Sequence, residues 1–101
     1  FRWTAGTNPA RHRRVLQLVR RAAGVPDSAA ADDARLGEAL AEALRALMRR
    51  LRVPNGLRAL GYAPADVPAL VAATLPQHRV LKLAPAPVDG AVLTKLFNES
   101  M

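Results

Sequence analysis

The sequence predicts an all-α fold, and three observations point that way. Half of the 101 residues are apolar but only 4% are aromatic. A core must therefore come from Leu, Val and Ala, which suits helix packing better than a β-sandwich. Apolar residues recur at three- and four-residue intervals through most of the chain, the period of a helix with one buried face. Most prolines and isolated glycines fall between these stretches, as punctuation between short helices. The expected architecture is five helices with short loops and one extended link before the last helix. Its length suits one domain with a modest core, so residues 1–101 are read as a single helical segment.

The first helix begins where Asn8 can cap and Pro9 suits the first helical position, and it ends at Gly24. Val15, Leu16, Leu18, Val19 and Ala22 supply its apolar stripe, while Arg13, Arg14, Arg20 and Arg21 mostly fall beside it. Val25 to Ala31 is expected to be a loop. Asp32 or Asp33 can cap the second and longest helix, on which Leu36, Leu40, Ala43, Leu44, Leu47 and Leu51 share one face. Glu38 and Glu42 find no arginine four residues on, and Glu42 lies only three before Arg45. Pro54 ends this helix or forces the residue before it into an extended state.

Residues Pro54 to Leu60 can make about two turns, stopped by Gly61. A further helix starts at Ala63-Pro64-Ala65-Asp66 and carries Val67, Leu70, Val71 and Leu75, with Pro68 tolerable in its first turn. His78 to Leu83 then reads as the extended link, with Val80, Leu81 and Leu83 apolar. The last helix starts near Asp89 and puts Val92, Leu93, Leu96 and Phe97 on one side.

The chain lacks cysteine, which excludes disulfides, thiolate metal sites and cysteine nucleophiles. No apolar run approaches the ~20 residues of a membrane span, and FRWTAGTNPARHRR lacks the apolar centre of a secretory signal. The expectation is a soluble intracellular protein: cytoplasmic, with a bacterial type of composition, or in the mitochondrial matrix if its source is eukaryotic. The formal charge is +7. Five arginines lie between Arg11 and Arg21, and four more between Arg45 and Arg52. Such basic faces raise nucleic acid as a partner, although arginine on solvated helix faces is the commoner cause. No HExxH motif, same-face carboxylate pair or Gly-rich phosphate loop is present. His12 and His78 stand far apart, and Asp32-Asp33 suits a helix start better than a metal clamp. The residues alone do not compose a complete enzyme.

From Val53 onward the wording is distinctive: GLRALGY, ADVPALV, TLPQHRV, KLAPAP and LFNESM. Pro54, Leu57, Leu60 and Gly61 fit a P-x-x-L-x-x-L-G helix, and Ala65 to Leu70 represent an acidic-D-(I/L/V)-P-x-L helix, with Ala65 in the acidic place. At the front, FRWTA followed by PARH resembles F-x-F-T-A … P-x-R-H, with Trp3 in place of the second phenylalanine. These words resemble the C-terminal part of the iron-containing (metal-dependent) alcohol dehydrogenase family, in particular its hydroxyacid-oxoacid transhydrogenase branch. The resemblance is strong from Val53 and looser across Ala22 to Arg52. It departs at the N-P-R-P corner, where this chain has Ala84 and Ala86, but Pro85 and Pro87 still enforce the turn.

The resemblance implies a larger two-domain, NAD-linked enzyme using a divalent metal, iron or zinc, with an N-terminal nucleotide-binding domain absent from this chain. The family's metal ligands are one aspartate and three histidines, and neither His12 nor His78 matches one of them. At the place of His78 the branch usually has an acidic residue. The implied parent moves a hydride between a hydroxy acid such as 4-hydroxybutyrate and an oxo acid such as 2-oxoglutarate. No catalytic, cofactor-binding or metal residue is assigned to this chain, which is expected to be inactive alone. Val80, Leu81 and Lys82 are the candidates for lining the substrate cleft. The expected partner is the missing N-terminal part of the enzyme, or a second copy associating through exposed apolar surface. A stand-alone basic module binding nucleic acid or another protein is the alternative.

Overall fold

In the computed structural model, residues 1–24 and 32–101 are described; the expected loop Val25 to Ala31 lies outside them. The protein is all-α, with no strand among the described residues. The chain divides into two compact units, Phe1–Val53 and Pro54–Met101. Each is built around one pair of helices.

The first unit opens with a 3-10 turn, Ala5–Thr7, followed by α1 (Pro9–Ala22) and α2 (Leu36–Arg50). Asn8 caps α1 as expected, its side chain accepting from the Arg11 amide at 3.1 Å. Gly24, at φ +67°, closes the helix and donates to the Arg21 carbonyl. This conformation is cheap only without a Cβ. Asp32 acts one turn before α2, accepting from the Arg35 amide at 2.9 Å. The core of this unit is Leu16, Leu36 and Leu40, with Ala39, Ala43 and Leu44 packed against it.

The apolar stripe proposed for α1 is only partly buried. Leu16 is 2% exposed, whereas Val15 and Leu18 are 38% and 49% exposed. The reason is geometric: a single neighbouring helix covers one flank of a stripe this broad. On α2, Leu36 and Leu40 are fully buried, but Leu51 lies beyond the last helical residue and is 64% exposed. Pro54 is not what ends α2. The helix stops at Arg50, where the Arg52 amide bonds to the Arg49 carbonyl and the Val53 amide to the Met48 carbonyl. That pairing satisfies the last carbonyls through a left-handed residue, here Arg52 at φ 55°.

In the second unit, the two turns expected over Pro54 to Leu60 reduce to one 3-10 turn, Arg58–Leu60. A second 3-10 turn, Pro64–Asp66, leads into α3 (Val67–Thr74). The Asp66 carboxylate reaches back to accept from the Ala63 amide at 2.8 Å, and Pro68 sits in the first turn of α3. The last helix, α5 (Gly90–Glu99), starts where Asp89 accepts from the Val92 amide at 2.8 Å. α3 packs against α5, burying Val67 and Leu93. The Leu57 amide donates to the Ser100 carbonyl at 2.7 Å, tying the loop before Arg58 to the end of α5.

The extended link before the last helix is not observed. His78–Leu81 is instead one turn of helix, α4. The Val80 and Leu81 amides both bond to the Gln77 carbonyl, and Lys82 bonds to His78. A short apolar run does not separate strand from helix by periodicity, and an extended segment here has no sheet partner among the described residues. Its backbone donors are satisfied locally instead.

Candidate functional site

One turn of helix rearranges the predicted cleft residues. At 100° per residue, His78, Leu81 and Lys82 share a side of α4 within about 100°, and Val80 points the opposite way. Val80 is accordingly 66% exposed, while Leu81 is half-buried. Leu81, Lys82 and His78 line an open groove of about 660 Å³. Its other walls are Leu75, just after α3, and the corner from Ala84 to Val88. The structure thus brings two of the three predicted residues together and leaves Val80 outside.

The groove is apolar with a basic edge. Leu75, Leu81, Val88 and the two prolines supply hydrocarbon, and Pro85 and Pro87 carry no backbone donor to satisfy. His78 and Lys82 stand one turn apart on its edge, a spacing that puts both side chains within reach of one small group. Among the described residues Lys82 makes no ion pair. A short carbon chain ending in a carboxylate matches such a groove chemically. Sequence reasoning set His78 aside, and its signal was the i, i+4 spacing to Lys82, which has meaning only on a helix.

The other histidine is structural. His12 Nδ1 lies 2.8 Å from the Asn8 carbonyl, which can only accept, so Nδ1 carries a hydrogen. Nε2 lies 3.0 Å from the Thr4 hydroxyl, and the ring meets Phe1 edge-on at 6.2 Å. Both nitrogens are used in pinning the N-terminal turn to α1, which leaves none for a metal.

A charged cluster that sequence spacing missed joins the same turn to α2. Arg2 forms a two-point pair with Glu38, one bond being 2.8 Å, and Arg45 approaches Glu38 at 3.5 Å. The hydrogen bond from Arg2 holds the Glu38 carboxyl below the ordinary carboxylate range; partial desolvation opposes it less strongly, and the charges of Arg2 and Arg45 add to the lowering. Arg2 is 36 residues from Glu38, so no local rule could have found it. Arg13 pairs likewise with Asp33.

Over its whole length the chain is similar to part of several known proteins. The whole chain is 44% identical to a protein of Dictyostelium discoideum named as a probable mitochondrial hydroxyacid-oxoacid transhydrogenase. It is 41% identical over 104 residues to the mitochondrial hydroxyacid-oxoacid transhydrogenase of Homo sapiens, and 39% identical over 101 residues to that of Xenopus tropicalis. Over its whole length this chain is homologous to hydroxyacid-oxoacid transhydrogenases, members of the iron-containing alcohol dehydrogenase family. It spans 18% of the length of the Dictyostelium relative and 21% of the human one, about a fifth in each case. No family model and no solved structure matches it.

The dehydrogenase family implies a metal, and the described residues do not form a site for one. No three His, Asp or Glu side chains come together among them. His12 is occupied as above, and His78 has only Lys82 beside it in the groove, a cation where a metal would need a donor. Among the described residues, no helix is long and apolar enough to cross a membrane.

Proposed function

We propose that this chain is the C-terminal helical region of an NAD-linked, metal-dependent oxidoreductase of the hydroxyacid-oxoacid transhydrogenase type. In this reading it is inactive alone and contributes one wall of the substrate cleft. The observation that carries the proposal is the whole-chain identity of 38–44% to proteins about five times its length, together with an apolar groove edged by Lys82 and His78. The remaining four-fifths of such an enzyme would supply the nucleotide-binding domain and the metal ligands. It would also be the partner that covers apolar residues such as Val80 and Leu83, exposed at 66% and 79%. The names of the relatives support a mitochondrial location in a eukaryotic cell, which fits the matrix.

Within the cleft, Leu81 and Leu75 would exclude water from the carbon chain of a hydroxy or oxo acid. Lys82 would face its carboxylate, with His78 as a second donor. Titrating the isotope-labelled chain with 4-hydroxybutyrate tests this by NMR. Shifts confined to residues 75–88 are expected, saturating at about millimolar concentration. Lys82→Met should abolish them, and shifts scattered over the arginine-bearing helices would reject the groove. The isolated chain with NAD and added iron or zinc should not oxidise the same hydroxy acid. Clear turnover would overturn the non-catalytic reading.

A further inference from the structure

The exposed side of α1 has a chemistry of its own. At 100° per residue, Arg11, Val15, Leu18 and Ala22 fall within about 60° of one another, with Arg14 and Arg21 along one edge. All six are exposed, including Leu18 at 49%. The helix contains no acidic residue. Among the described residues none of Arg11, Arg14 and Arg21 makes an ion pair, in contrast to Arg13, which pairs with Asp33. An apolar ridge edged by unneutralised guanidinium groups is suited to a surface of opposite sign with an apolar centre.

We infer that this face of α1 is a docking surface for a protein segment presenting apolar residues between carboxylates. Charge separates this occupant from a second copy of the chain. A two-fold contact would bring the same patch from each partner together, placing six arginines at one interface between molecules each carrying +7. Like charges so juxtaposed oppose association. A lipid surface is the poorer fit, because Val15, Leu18 and Ala22 form a narrow ridge, whereas interfacial helices bury a whole apolar face, and Leu16 is already committed to the core of the unit. The inference uses only α1 and stands whether or not the groove binds a hydroxy acid.

The test uses the full chain and a synthetic amphipathic peptide with leucines at helical spacing flanked by glutamates. A second peptide replaces every glutamate by lysine. Binding of the acidic peptide alone is expected. Leu18→Ala should weaken it at least threefold, and Arg14→Glu with Arg21→Glu at least tenfold. Leu51→Ala, at a 64% exposed leucine outside the ridge, should leave it unchanged. Leu18 is half in water, so circular dichroism of Leu18→Ala should match the parent. No binding of the acidic peptide at millimolar concentration would overturn the inference. So would equal weakening by Leu18→Ala and Leu51→Ala, a dimer in sedimentation that Leu18→Ala dissolves, or binding only to anionic vesicles or to an oligonucleotide.

Discussion

Two neighbouring residues on α2 hold the N-terminal turn in place. A Cβ at Gly37 would lie 2.8 Å from the Arg2 Cα and 3.2 Å from the Phe1 carbonyl oxygen. These are backbone atoms that cannot rotate away, so only glycine lets the turn lie this close. Gly37→Ala should gain about 1 kcal/mol of helix propensity but lose more to displacement, which costs typically 1–3 kcal/mol. A net loss in urea denaturation is expected, along with loss of the Arg2–Glu38 pair. Glu38 itself makes stability depend on pH. Its carboxyl is held below the ordinary value of 4.5, so its contribution is full above that value and is lost as pH falls through the lowered folded one. Glu38→Gln should therefore lower the urea midpoint at neutral pH, and the gap from the parent should close on acidification. A gap that widened in acid would contradict the Arg2 pairing.

At the scale of elements, helix ends decide more than helix interiors. Arg52 occupies a left-handed position that costs a side-chain-bearing residue about 1–2 kcal/mol. Arg52→Gly should raise stability by about 1 kcal/mol, whereas Arg52→Ala should give no such gain, both read from thermal midpoints. At the other kind of end, Asp89→Ala removes the carboxylate that accepts from Val92. It should cost about 1 kcal/mol, appearing as faster amide exchange at residues 90–93. α4 is the element that sequence reasoning misjudged. The run His78 to Leu83 stays extended only if a strand pairs with it, and no strand is present among the described residues.

For the molecule as a whole, the described core is thin. Ala5, Leu16, Leu36 and Leu40 are its buried apolar residues in the first unit, and Val67 and Leu93 in the second. Unfolding free energy should lie at or below about 5 kcal/mol, the lower edge of the usual range. Leu40→Ala should remove about 2–5 kcal/mol of it, enough to unfold the first unit at room temperature, as amide exchange would show. The basic faces fit a chain carrying fifteen Lys and Arg against eight acids.

The sequence by itself determined the helical class, the cap at Asn8, the stop at Gly24, a helix start near Asp89 and the likeness to the transhydrogenases. Each rests on neighbours within about four residues, or on the wording of the chain. Tertiary structure alone decided which flank of α1 is buried, that Arg2 reaches Glu38, and that His78 joins Leu81 and Lys82 while Val80 turns away. Those outcomes depend on what lies across from a residue, through packing and through backbone donors that must find partners, and separation along the chain carries no record of either.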